Sequence, residues 1–308
     1  MLQEVEKYKA LPFFARQVVE GFLTGLHKSP NHGFSVEFAE HRLYNTGEST
    51  RNIDWKLFAR SDKLFVKRFE EETNLRCQLV VDHSTSMYFP VENHGVVDRP
   101  NKLTFAVYAS ALLAELFHRQ RDAFGLTLFA DKVELQTEVR SGSVHQHYIY
   151  SLLEQLLQPV QAAELPKRTT SIAPCLHLVA EQLHRRSLVV IFTDAFVRPD
   201  QQDELFEALR HLRHCKHEVL LFHTYDYDKE LRLDYDGRPY QFIDMESDLR
   251  LKVNPAEVAS LYRQNMQHLF DEVRQHAMRY RIDYVPVDVG RGFEQVMLPY
   301  VLKRGRHY

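Results

Sequence analysis

Three oxygen-bearing side chains stand at alternate positions in Asp82-His83-Ser84-Thr85-Ser86, directly after the apolar run Leu79-Val80-Val81. A buried strand delivers the Asp82 carboxylate to the edge of a sheet. A tight turn after it can aim Asp82, Ser84 and Ser86 at one point. Carboxylate, hydroxyl and water are the donors that Mg²⁺ and Mn²⁺ prefer over sulfur or imidazole. The chemistry expected here is divalent-cation binding. An aspartate that ends a strand is also an ordinary turn former, so the reading depends on what other segments bring to the same place.

Two segments qualify. Leu188-Val189-Val190-Ile191-Phe192-Thr193-Asp194 is among the most apolar runs of the chain and reads as a central parallel strand that also ends on aspartate. Thr169-Thr170-Ser171-Ile172 precedes a helical pattern at 173–185. Hydroxyl residues belong at a helix start as caps, and one can cap while another ligates. In open α/β sheets, ligands bind beyond the carboxyl ends of the strands where strand order reverses. Parallel central strands would bring Asp82 and Asp194 to one edge.

The elements that must hold these residues follow from periodicity. Strand-like runs fall at 77–82, 123–130, 132–140, 187–194, 217–225 and 282–289. Helical patterns fall at 2–27, 101–120, 145–158, 171–185, 201–215, 255–281 and 293–304. Strands alternating with helices predict an α/β fold: a three-layer, open, mostly parallel sheet with helices on both faces. Tyr235-Asp236-Gly237-Arg238 reads as a hairpin tip. The boundary expected is an N-terminal helix and accessory segment at 1–75 and the α/β domain at 76–308.

Composition narrows the function classes. Lys and Arg total 39 against 42 Asp and Glu, a net charge of −3. That balance offers no basic footprint for nucleic acid. Cys77, Cys175 and Cys215 lack any paired spacing and read as free thiols of a reducing compartment. No signal-peptide layout and no apolar run of membrane-spanning length is present, so a cytoplasmic protein without a membrane span is expected.

Other motifs read as structure. His211, His214, Cys215 and His217 lack a second ligand pair with zinc spacing, and fit a helix end whose negative pole favours them. Gly290-Arg291-Gly292 lacks a third glycine and follows the last strand, which argues against a dinucleotide loop. No phosphate-binding loop, nucleophile elbow or zinc-protease motif occurs. Trp55 reads as an apolar anchor, and Arg42, Arg51, Asp54 and Arg60 as an ion-pair network.

The order Asp82-x-Ser84-x-Ser86, then Thr170 at a helix start, then Thr193-Asp194 resembles a von Willebrand factor A domain with its metal-ion-dependent adhesion site. The resemblance implies ligation of Mg²⁺ or Mn²⁺ by Asp82, Ser84, Ser86 and Thr170, with Asp194 direct or through water. One coordination position would stay open for a partner's carboxylate. Ala195 stands where such domains often carry glycine. Upstream, Glu37-Phe38, Arg42-Leu43-Tyr44, Gly47-Glu48, Arg51-Asn52-Ile53-Asp54-Trp55 and Ala59-Arg60 resemble the bacterial domain-of-unknown-function 58 family. That resemblance implies a partner that is a MoxR-type AAA+ ATPase or its client, in chaperone-like maturation or assembly of other proteins. The function expected is cation-dependent protein binding without catalysis. A single-metal hydrolase using the same site, or a scaffold with a vestigial site, are the alternatives.

Overall fold

A computed structural model describes residues 11–27, 41–43, 55–61, 64–67, 75–161, 165, 168–197, 201–247, 249–293 and 297. In chain order the elements are α1 (Leu11–His27), β1 (His41–Leu43), α2 (Trp55–Ser61), β2 (Phe65–Lys67), β3 (Arg76–Asp82), α3 (Lys102–Arg119), β4 (Ala123–Phe129), β5 (Val133–Gln136) and α4 (Ser143–Gln155). They continue with α5 (Ile172–Gln182), β6 (Leu188–Thr193), α6 (Gln202–His214), β7 (Glu218–Tyr225), β8 (Tyr240–Ile243), β9 (Arg250–Val253), α7 (Pro255–Arg279) and β10 (Asp283–Asp288).

Six strands form one sheet in the order β10-β7-β6-β3-β4-β5. All neighbours are parallel except β5, which runs antiparallel at the edge against β4. The chain leaves β3 toward β4 and β5, then returns to the other side of β3 as β6. Strand order therefore reverses at β3, the geometry that opens a crevice at the carboxyl ends. The expected strand at 132–140 is shorter, Val133–Gln136: the Thr137 hydroxyl accepts the Leu126 N–H, and pairing with β4 resumes only at an isolated bridge between Phe124 and Arg140.

Strand side chains alternate between the two sheet faces. Leu79, Val81, Val190 and Phe192 join Phe14, Phe105, Phe117 and Leu153 from α1, α3 and α4 in one core. Val80, Val189 and Ile191 join Leu176, Leu209 and Val273 from α5, α6 and α7 in the other. With both faces covered, the strands are apolar at nearly every position, as their sequences are. The fold is the three-layer α/β arrangement of von Willebrand A domains.

Two compact units emerge, one of Met1–Thr24 with Leu75–Tyr308, the other Gly25–Asn74. Helix α1, assigned by sequence to the accessory segment, buries Leu11, Phe14, Ala15, Val18 and Val19 in the larger unit's core. In the smaller unit β1 pairs antiparallel with β2, and α2 starts at Trp55. Arg51 and Asp54 lie outside the described residues, as do the side chains of Arg42 and Trp55; Arg60 is exposed on α2. Most of the expected helix at 293–304 also lies outside them.

The hairpin is displaced from its expected place. Its strands are β8 and β9, so its tip falls between Ile243 and Arg250 rather than at 235–238. The chain before Tyr235 is not extended: Asp226 caps the Lys229 N–H, and Tyr227–Leu231 winds into a π-type turn. No helix among the described residues is long and apolar enough to cross a membrane.

Candidate metal centre

Asp82 closes β3 and is fully buried. Its Oδ1 accepts the Ser84 N–H at 3.0 Å, which folds the following turn back over the carboxylate. Its Oδ2 accepts the Thr193 hydroxyl at 2.7 Å, a bond available because β6 lies beside β3 with Val81 opposite Phe192. Ser84 Oγ and Ser86 Oγ stand 3.1 Å apart on the same turn. Burial and then the nearby Asp194 charge push the Asp82 carboxyl up to about 7, against the pull of its Ser84 and Thr193 hydrogen bonds. Among the described residues no cationic side chain pairs with it.

Asp194 follows β6 and is also fully buried. Lys102 Nζ donates to Asp194 Oδ2 at 2.8 Å and to Glu230 Oε1 at 2.6 Å. Burial works against ionising Asp194, but the Lys102 ammonium and the Ser86 hydroxyl hold it below the ordinary carboxylate range. Burial also disfavours the Lys102 charge, yet Asp194 and Glu230 hold its pKa above normal. The Lys102 ammonium lies 5.1 Å from the Phe196 ring centroid. Glu230 belongs to the π-type turn after β7, and its other oxygen accepts the Asp226 N–H at 2.8 Å. His223 on β7 supports the strand end from below, its Nε2 donating to the Asp194 carbonyl at 2.7 Å. Ala195, where glycine is common, has φ 50°, the left-handed region that costs a non-glycine residue about 1–2 kcal/mol.

Thr170 reaches the site through backbone docking. The Thr85 N–H donates to the Arg168 carbonyl at 3.2 Å, Arg168 N–H donates to Thr85 Oγ1 at 2.8 Å, and Ser171 N–H donates to Ala130 O at 2.9 Å. These bonds lay residues 168–171 along the serine turn. Ser86, Thr170, Phe196 and Glu230 line one pocket of about 780 Å³. The hairpin tip forms its far wall, where Glu246 accepts from Thr170 Oγ1 at 2.7 Å and Thr170 N–H at 2.9 Å. Asp82, Ser84, Ser86 and Asp194 thus converge, and of the five candidates Ser86 and Thr170 line the pocket.

The donor set suits a hard divalent cation. Every candidate ligand is a carboxylate or hydroxyl oxygen. Asp82, Asp194 and Glu230 set three carboxylates against the single Lys102 ammonium, leaving two negative charges to neutralise when all are ionised. Asp82, Ser84, Ser86 and Thr170 would hold the ion, with Asp194 direct or through water. The ion would supply a Lewis-acidic point for an incoming anion. Among the described residues no group of three or more His, Cys, Asp or Glu side chains is placed to hold a metal ion, so an ion here would rest on the serine and threonine hydroxyls as well as on the carboxylates.

Sequence reasoning missed Lys102, Glu230 and Glu246. Lys102 carried a signal: a lysine in the first turn of α3, at the helix pole that repels cations, has to be held there by something. His83 and the histidines around the end of α6 have other surroundings. His83 Nδ1 accepts from Arg168 at 2.6 Å, and Nε2 lies 3.3 Å from Glu134. Burial and the Arg168 charge hold it down to about 4, so the ring is neutral. His211 meets His177 at 2.8 Å between their Nδ1 atoms, His214 is exposed, and His217 Nε2 is 3.3 Å from the Ala180 carbonyl. Gly290 sits in a short turn after the edge strand β10, its N–H bound by Asp288 at 3.1 Å.

Fold and site together define a von Willebrand A-like α/β protein with a hydroxyl-and-carboxylate centre at the sheet's switch point. Residues 40–275 match the family described as protein of unknown function DUF58, and the chain belongs to that family. It is 25% identical over 222 residues to uncharacterized proteins of Mycobacterium bovis and Mycobacterium tuberculosis, covering 71% of this chain and 64% of theirs. The chain thus spans just under two thirds of the length of these curated relatives. Among solved structures it is similar to a conserved hypothetical protein BatB from Bacteroides thetaiotaomicron (15% identity, TM-score 0.43, covering 75% of this chain and 99% of that one). It is also similar to an aerotolerance-related membrane protein from Bacteroides fragilis (15% identity, TM-score 0.46, covering 76% and 100%).

Proposed function

We propose that this protein is a divalent-cation-dependent protein-binding module, with Mg²⁺ or Mn²⁺ held by Asp82, Ser84, Ser86, Thr170 and Asp194. The observation that carries the reading is the Asp82 carboxylate, buried beside a second carboxylate and answered, among the described residues, by hydrogen bonds without a cation. Burying a charge in that way is costly unless a cation compensates it. Magnesium keeps several waters in protein sites, so an acidic side chain of a partner can replace one without rebuilding the ligand set.

The role is binding rather than catalysis. A hydrolase on this centre needs a free general base, and the adjacent His83 is engaged by Arg168 and faces Glu134. We assign the partner as a MoxR-type AAA+ ATPase or its client, on the strength of the family resemblance. The test is capture of the purified ATPase by this protein in Mg²⁺, in EDTA, and with Asp82→Ala, with phosphatase and esterase assays on the same samples. Capture lost in EDTA and in the variant supports the reading. Turnover that depends on both the metal and Asp82 overturns it in favour of a hydrolase, and capture indifferent to both leaves a scaffold.

A further inference from the structure

The hairpin β8–β9 places a carboxylate of the chain itself at the mouth of the centre. Glu246 engages Thr170 through both oxygens, one on the hydroxyl at 2.7 Å and one on the backbone N–H at 2.9 Å. Thr170 is a candidate ligand whose pocket also holds Ser86. The tip is shaped for this contact. Asp244 accepts the Glu246 N–H at 3.1 Å and also binds Ser247 Oγ, while its own N–H closes the turn on Leu249 O at 2.9 Å.

The rest of the hairpin is lightly attached. β8 and β9 form a two-stranded sheet of their own, with Ile243 52% exposed, Leu249 73% and Leu251 63%. Two-stranded hairpins are marginally stable alone, and elements with few buried contacts open at low free-energy cost. Met245, half-buried against the main core, and the Glu246–Thr170 pair hold the tip down.

We propose that Glu246 is an internal competitor of the partner's carboxylate: it holds the Thr170 donors in the resting protein, and an acidic partner side chain reaches the cation by displacing it as the hairpin tip lifts. This rests on the cation-dependent binding reading above. It makes the hairpin a self-closing clasp, so that partner affinity is set by competition with an internal acid. A ligand that must displace an internal competitor binds more weakly by the fraction of molecules that stand open.

The opposite role for the same contact is support, with Glu246 orienting the Thr170 hydroxyl for the cation as outer carboxylates do at metal sites. The two are separable in the full-length chain with Glu246→Ala and the milder Glu246→Gln. Amide exchange at Thr170 is measured without metal. Binding is measured by calorimetry with Mn²⁺ alone, then with N-acetyl-glutamate α-amide in Mn²⁺ as a probe with one free side-chain carboxylate. The clasp requires faster exchange at Thr170, unchanged Mn²⁺ affinity, and probe binding tighter by about ten-fold, equivalent to about 1.4 kcal/mol. Unchanged exchange, or Mn²⁺ bound normally with no gain for the probe, overturns the clasp and leaves the cation reading standing. Mn²⁺ affinity lowered about ten-fold in the variants overturns it in favour of support. Absence of Mn²⁺ binding by wild type and variants alike removes the cation reading and the clasp with it.

Discussion

Lys102 Nζ lies 2.8 Å from Asp194 Oδ2, and both side chains are completely buried. The ammonium joins the start of α3 to the end of β6 and, through Glu230, to the turn after β7. It leaves Asp194 neutralised and Asp82 not. The two aspartates that look equivalent in sequence are therefore electrostatically different: Asp194 is paired with a buried ammonium, and Asp82 has no cationic partner among the described residues.

Removing the ammonium should be severe. Lys102→Met keeps the apolar stem but strands Asp194 and Glu230 in the interior. Breaking a buried pair in this way costs about 3–5 kcal/mol. Urea unfolding should show a loss of that size. A loss within about 0.5 kcal/mol, typical of an innocuous surface change, would mean that the pair contributes little.

Asp82→Asn should have the opposite sign in the absence of cation. The folded carboxyl is raised to about 7, above its unfolded value of 3.8. Its contribution to stability is full below the unfolded value and is lost as pH rises through the folded one. Each unit of displacement is worth about 1.4 kcal/mol. In EDTA at pH 8 the asparagine variant should be more stable than wild type, with the gap closing as pH falls from 7 toward 4. A gap independent of pH would assign the effect to packing.

The sheet was legible because burial on both faces makes a parallel strand continuously apolar, as in Leu188–Phe192. The Asp82-x-Ser84-x-Ser86 turn was legible because its donors are neighbours in sequence. Lys102 was not, since its partners are 92 and 128 residues away, and Glu246 lies 76 residues from Thr170. Pairings of that range depend on where the sheet places its strand ends, which local pattern does not encode. The hairpin was misplaced for a related reason: Asp-Gly at 236–237 is a strong turn signal, but the side-chain caps of Asp226 and Asp244 decide which stretches are extended.

The most direct measurement is thermal unfolding at pH 8 against increasing Mg²⁺, for wild type, Asp82→Asn and Ser86→Ala. A ligand that binds only the folded state stabilises it by RT ln(1 + [L]/Kd), about 1.4 kcal/mol at ten times Kd. The expected result is a saturable rise in the wild-type midpoint, a smaller one in Ser86→Ala, and none in Asp82→Asn. A flat wild-type curve, or an equal rise in Asp82→Asn, would contradict a divalent cation held at Asp82.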